Sequence, residues 1–303
     1  MITMTKPAVH DSLAPPASRV DAAARLAGLV TVVLWGSAFV AIRAAAEAMA
    51  PGALALGRVL VSSILLSTLA FVRREPLPPR GDLVRIGAYG ILFQGVYSVT
   101  LNAAERRVDA GTAAMLIGSG PLLIAILAGI FLHEGFPRRL FAGCVVAFAG
   151  SSIIGFATSQ AGARAGFGIL LLLIAVLAYA AAVVVQKSAL RRASAFQVTW
   201  LGCLAATLAL LPFMPLLVHN IKDAGAAGIG WTLYLGIFPT AIGFATWTFA
   251  LRRTSAGRMG AMIYLIPPIA TLLGWALLGE RPPWLAVVGG ALCLIGVYLA
   301  RHD

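Results

Sequence analysis

The chain is 303 residues long, 60% hydrophobic and only 11% charged, with a mean hydropathy of +0.92 and a net charge of +12. Soluble domains carry about 25% charged residues, so this chain cannot cover a water-facing surface and lipid must be the solvent for much of it. The basic excess would suit a nucleic-acid partner or a topology signal, and its placement decides between them.

Residues 1–24 are polar and contain Pro7, Pro15 and Pro16, a composition expected of a disordered tail. They lack a basic start followed by an apolar core and a cleavage site, so no signal peptide is expected. Ten apolar runs follow, at about 26–42, 51–72, 86–104, 110–132, 140–157, 165–186, 195–218, 225–251, 259–278 and 283–300. Each is about long enough to cross roughly 30 Å of hydrocarbon as a helix. They are rich in leucine and alanine and do not alternate polar with apolar, which excludes β-barrel strands. The expected fold is therefore an all-α membrane protein of ten transmembrane helices. If the tail is cytoplasmic, sixteen Lys and Arg fall on the cytoplasmic side and six outside, with Arg58 inside the second run. That bias in short loops is the positive-inside pattern. It puts both termini in the cytoplasm and removes nucleic acid as a partner. Cys144, Cys203 and Cys293 lie in apolar runs without a paired spacing, so they read as packing residues with neither a disulfide nor a metal site.

The second half echoes the first at an offset of 146 residues. Arg106-Arg107-Val108-Asp109-Ala110-Gly111 matches Arg252-Arg253-Thr254-Ser255-Ala256-Gly257. In the same register Pro121 falls on Pro267, Glu134 on Glu280, Pro137 on Pro283, Gly143 on Gly289 and Gly150 on Gly296. Five spans per half would make the halves, residues 25–157 and 165–301, enter the membrane from opposite sides. Such inverted repeats are a transporter plan, because two oppositely oriented halves can exchange conformations to open one side or the other.

Leu34-Trp35-Gly36-Ser37-Ala38-Phe39 resembles the opening signature of the drug/metabolite transporter superfamily in its ten-helix EamA branch. Gly279-Glu280-Arg281-Pro282-Pro283, then Gly289-Gly290 and Gly296, resemble the close of each EamA repeat. The resemblance covers nearly the whole chain from Leu26 to Ala300, and within the branch it is greatest to the bacterial aromatic amino-acid exporters. It implies a multi-pass protein of the bacterial inner membrane with a central cavity. The first, third, fourth, sixth, eighth and ninth spans would line it, and the fifth and tenth would be peripheral.

Several residues are candidates for transport. Pro121 and Pro267 lie near mid-span in matching places. Each lacks an N–H and would leave the carbonyl four residues earlier, of Ile117 or Ile263, without a helix partner. Such carbonyls are tolerated in lipid only inside protein or beside a wet cavity, so the prolines are either hinges offering acceptors to a substrate ammonium or ordinary kinks. Pro239 is a similar candidate. Trp35, Ser37, Tyr89, Gln94, Tyr97, Tyr179, Trp247 and Tyr264 sit within spans, and Gln94 and Tyr97 share a helix face. They either line a cavity and bind substrate or act as polar and aromatic helix packing. Arg58 lies roughly 10 Å deep at 1.5 Å per residue. It is a possible charge partner for an anionic group, or a structural residue that snorkels or binds helix-end carbonyls. Glu134 and Glu280 precede prolines that open helices, where a helix dipole favours acidic groups. Small residues at spacings of four, Gly143, Ala147 and Ser151 with Ala286 and Gly290, either pack the scaffold or offer a dimer face, so homodimer and monomer both stay open.

The expected function is export of small metabolites by alternating access, with aromatic or other neutral amino acids favoured and no cofactor. Drugs, nucleotide sugars and sugar phosphates are the alternative cargo; phosphorylated cargo would call for several basic cavity residues, and only Arg58 offers itself. A membrane-embedded lipid enzyme is the remaining alternative, but His10, His133, His219 and His302 lie in tails or at span ends and no catalytic motif is present.

Overall fold

The computed structural model describes residues 17–45, 49–105, 107, 116–158, 166–278 and 283–301, which are almost wholly helical with no strand among them. The ten helical elements are α1 (Ala17–Ala45), α2 (Pro51–Arg73), α3 (residues 80–105), α4 (Gly120–Phe131), α5 (Arg138–Thr158), α6 (Gly166–Ala189), α7 (Ala195–Asp223), α8 (Gly225–Arg253), α9 (residues 256–278) and α10 (Trp284–Arg301). Six stretches among them are long and apolar enough to cross a membrane: Ala22–Ile42, Pro51–Arg73, Gly166–Ala189, Ala195–Asp223, Gly225–Arg253 and Ala256–Leu277. Large apolar side chains such as Phe71, Phe156, Leu177, Leu272 and Leu294 are exposed on the outer faces, as a lipid solvent requires. The protein is an all-α membrane protein of two inverted five-helix repeats.

The first helix starts earlier than hydropathy predicts. Residues 17–24 were expected in the disordered tail, yet they belong to α1. They are alanine-rich, and alanine propagates a helix whether or not the segment is apolar.

The packing follows the repeat. α1 lies on α8 and α9, and its counterpart α6 lies on α3 and α4; α2 pairs with α7, α4 with the first part of α9, and α5 with α10. The α5–α10 contact explains the small-residue spacing. A Cβ on Gly143 would meet Gly296 O at 2.5 Å, and a Cβ on Gly150 would meet Gly289 O at 2.5 Å. These are repeat mates crossed pairwise, so the glycines bring two backbones together inside the chain. Gly143 and Ala147 therefore face α10.

Five spans are not the continuous α-helices that apolar length suggests. α3 is α-helical over Arg80–Tyr89, π-helical over Gly90–Tyr97 and α-helical again over Ser98–Glu105; α8 has its own π segment at Gly236–Ile242. The two π segments begin 146 residues apart, in the register of the sequence repeat. α7 is interrupted by a 3₁₀ turn at Leu211–Phe213, α9 by another at Ile263–Leu265, and α4 begins at a turn over Gly118 and Ser119. Hydropathy averages over such breaks, because the side chains remain apolar while the hydrogen-bond pattern changes.

Candidate functional site

The centre of the molecule is aromatic. Phe93, in the π segment of α3, is buried and touches five rings: Trp35 of α1 at 5.9 Å between centroids, Tyr89 at 6.1 Å, Tyr97 at 5.6 Å, Tyr179 of α6 at 5.2 Å and Phe244 of α8 at 5.0 Å. Trp35 also packs on Phe244 and on Trp247, and Tyr97 on Tyr179. Most of these pairs are edge-to-face or tilted, the arrangement favoured by ring quadrupoles. α3 supplies three of these rings because Tyr89, Phe93 and Tyr97 are spaced four apart and so share one helix face.

Around the rings lies a layer of satisfied polar groups. Gln94 is 1% exposed. Its Oε1 accepts from Cys203 Sγ at 3.1 Å and its Nε2 donates to Tyr89 Oη at 3.4 Å. Trp247 Nε1 donates to Gln186 Oε1 at 2.9 Å, Gln186 Nε2 donates to Thr248 Oγ1 at 2.9 Å, and Thr199 Oγ1 donates to the same hydroxyl at 3.0 Å. Ser37 pairs with Tyr234 Oη at 2.7 Å, away from the ring cluster. Gln94, Tyr89 and Trp247 are therefore held in place by neighbours, which fixes the walls of the cluster.

Pro239 organises the second π segment. Its missing N–H removes the α-helical partner of Leu235 O, and Thr240 Oγ1 donates to that carbonyl at 2.7 Å. Gly236 O accepts from Ser62 Oγ at 2.6 Å, and Pro239 O accepts from Trp35 Nε1 at 3.1 Å. Arg58 Nε donates to Thr240 Oγ1 at 3.0 Å. Among the described residues no carboxylate forms a salt bridge with Arg58; its electrostatic neighbours include Tyr97 and Cys203. It ties α2 to the break in α8.

Pro121 and Pro267 do not sit in the middle of continuous helices. Pro121 is in the first turn of α4, after the turn at Gly118 and Ser119, and Ser119 Oγ donates to Leu116 O at 2.7 Å. Pro267 begins the α-helical part of α9, Ile266–Leu278, just after the 3₁₀ turn. The expectation that Ile263 O would be free is therefore corrected: it accepts from Ile266 N–H, because the 3₁₀ turn pairs residues three apart. Proline is tolerated in the first turn of a helix because that N–H has no helix partner anyway. Both sites are starts of half-helices, again 146 residues apart at Gly120 and Ile266.

Among the described residues two buried tyrosine hydroxyls have no hydrogen-bond partner, those of Tyr179 and Tyr264, which are 3% and 1% exposed. Tyr179 belongs to the ring cluster. Tyr264 makes no ring contact with it; its electrostatic neighbours are Tyr179 together with Cys144 of α5 and Cys293 of α10.

A charged clamp joins the repeats at one end of the bundle. Glu134 accepts from Ala256 N–H at 2.8 Å through Oε1 and from Gly257 N–H at 3.2 Å through Oε2. Ser255 Oγ accepts from Arg258 N–H at 3.3 Å, completing the cap of α9. Lys187 Nζ donates to Leu251 O and Thr254 O, both at 2.6 Å, at the end of α8. Anion at an amino end and cation at a carboxyl end both match the helix dipole. The sequence suggested that Glu134 serves the helix it precedes, α5; the helix it serves is α9, from the other repeat. Glu280, its repeat mate, lies outside the described residues.

The structure thus brings together Trp35, Tyr89, Tyr97, Tyr179 and Trp247 from the sequence candidates, with Gln94 behind them. It leaves Ser37, Arg58 and Tyr264 outside the ring cluster. Phe93, Phe244, Gln186, Thr240 and Thr248 were missed. The two phenylalanines carry no signal that sets them apart from the other apolar residues of their spans, while Thr240 carries a readable one, a hydroxyl directly after a mid-span proline.

Comparison with known proteins places this geometry in context. The EamA-like transporter family matches residues 23–156 and again residues 166–301. A protein of Streptantibioticus cattleyicolor, named a probable terminal-alkyne amino-acid exporter, is 36% identical over 90% of this chain and 92% of its own. A probable amino-acid metabolite efflux pump of Salmonella typhimurium is 25% identical over 89% of this chain and 92% of its own. A crystal structure 20% identical in sequence superposes with a TM-score of 0.76, covering 93% of this chain and 98% of that one, and shares the fold.

Proposed function

Since the chain belongs to the EamA-like transporter family, and is a membrane transporter rather than an enzyme, we propose that it exports amino acids with aromatic or other bulky neutral side chains across the bacterial inner membrane. The observation that carries this reading is the cluster of Trp35, Phe93, Tyr97, Tyr179 and Phe244, drawn from both repeats and adjoining the half-helix start at Gly120. Aromatic rings that can part on opening offer stacking faces to a flat or apolar side chain. The two curated relatives described above carry amino-acid export in their names, which supports the same cargo class. Phosphorylated cargo is disfavoured because Arg58, outside the ring cluster, is held by Thr240, and among the described residues no arginine stacks on a ring of the cluster.

Both termini lie in the cytoplasm in this reading, supported by the excess of basic residues in the loops on that side. The repeats 25–157 and 165–301 exchange conformations to move the access path. The half-helix starts at Gly120 and Ile266 and the two π segments are where the backbone pattern changes, and they serve as the hinges in this reading.

The test is uptake of radiolabelled tryptophan, phenylalanine, threonine and glutamate into sealed liposomes holding the purified protein. Saturable uptake of the aromatic or neutral members, competed by unlabelled substrate, is expected. Inserted, folded protein that moves none of them overturns the amino-acid reading.

A further inference from the structure

Tyr179 presents a donor with nothing to bind at a place where the backbone offers a field but few donors. The edge of its ring packs against Gly120, the first residue of α4: a Cβ there would collide with Cε1 and Cδ1 and lie 3.6 Å from Cζ, the carbon that bears the hydroxyl. This half-helix has no side-chain cap, since Ser119 Oγ is turned back to Leu116 O. Its first turn also contains Pro121, which removes one of the amides that would otherwise reach an anion. The positive end of the helix dipole remains. The hydroxyl of Tyr179 is 97% shielded with its side chain and has no acceptor. A buried donor left unmatched in the empty state is a cost to the fold unless a ligand supplies the acceptor.

We propose that the Tyr179 hydroxyl, carried on a ring whose edge packs against Gly120 at the amino end of α4, receives the carboxylate of the transported amino acid. The inference rests on the amino-acid reading above and adds which group of the substrate is read, and where. The carboxylate accepts one charge-assisted hydrogen bond from Tyr179 Oη and sits in the field of α4. The substrate side chain then lies among Phe93, Tyr97 and Phe244, whose rings adjoin Tyr179 directly or through Phe93. Half-helix amino ends facing an anionic substrate group are physically suited to a transporter, because the charge is met by fixed dipoles without a buried counter-charge. Substrates lacking the carboxylate lose this contact and bind weakly.

The experiment measures labelled phenylalanine uptake in proteoliposomes and its competition by phenylalanine and by phenylalaninol, which has an alcohol in place of the carboxylate. Wild-type protein, Tyr179→Phe and Tyr264→Phe are compared. Tyr264 also has an unmatched buried hydroxyl and is an electrostatic neighbour of Tyr179, but its ring does not contact the ring cluster, so its variant controls for loss of a nearby buried hydroxyl as such. The wild type is expected to prefer phenylalanine over phenylalaninol by about tenfold or more, the scale of one hydrogen bond to a charged group. Tyr179→Phe is expected to raise the half-saturation concentration for phenylalanine about tenfold and leave inhibition by phenylalaninol within about twofold. Thermal stability in detergent should be unchanged or higher, since no hydrogen bond within the protein is lost. Tyr264→Phe should keep the wild-type preference. A Tyr179→Phe protein that retains the preference, or a preference lost equally in Tyr264→Phe, overturns the subsite while leaving amino-acid transport standing. A wild type that transports no amino acid overturns both.

Discussion

Replacing Glu134 by alanine should release the start of α9 from the first repeat. The carboxylate accepts two amide protons, from Ala256 at 2.8 Å and Gly257 at 3.2 Å. A hydrogen bond to a charged group contributes about 1.5–3 kcal/mol when well shielded. Glu134 is only half-buried, so about 1 kcal/mol per bond, including its share of the helix-dipole term, is the appropriate scale. The loss then comes to about 2 kcal/mol, or roughly a thirtyfold shift in the local opening equilibrium. Hydrogen exchange of the purified protein reads this directly. The amides of Ala256 and Gly257 should lose about thirtyfold of protection in Glu134→Ala and about fivefold in Glu134→Gln, which keeps one acceptor oxygen. The amide of Arg258, capped by Ser255 Oγ, should change least and serves as the internal reference. Unchanged protection at Ala256 and Gly257, with the rest of the helix intact, would refute the clamp. Because the clamp joins the repeats, its weakening should also alter transport rate more than the half-saturation concentration.

Thr240→Val removes the hydroxyl that serves both Leu235 O and Arg58 Nε. Two polar groups lose partners, a cost of about 3 kcal/mol, so the melting midpoint in detergent should fall clearly, whereas Thr240→Ser should stay near wild type; equal midpoints would show that Arg58 is held by something else. Gly150→Ala places a methyl 2.5 Å from Gly289 O and 2.7 Å from Cys293 N, so α5 and α10 must separate and the yield of folded protein should drop. Gly87→Ala, where a Cβ meets nothing within 4 Å, should be neutral or mildly stabilising because alanine is the better helix former, and a matching loss of yield there would count against the close-approach argument.

Much of the architecture was readable before any coordinates. The composition required lipid, apolar length counted the spans, and Pro121 with Pro267 and Glu134 with Glu280 set the repeat register that the paired half-helix starts and π segments later followed. These are local properties or comparisons of the chain with itself, so they survive without knowledge of packing. What sequence could not show was the hydrogen-bond state of each polar residue within the spans. Gln94 and Tyr179 look alike as polar groups at membrane depth. Gln94 is engaged because Cys203, on a helix far away in sequence, turns its thiol toward it. The hydroxyl of Tyr179 is unmatched because Gly120 lets its ring lie against a helix start that offers no acceptor. Arg58 was legible as a buried charge, but only the fold revealed that its partner is a threonine beside a proline. A partner is a matter of distance in space, and between residues on different helices that distance is set by the tertiary structure alone.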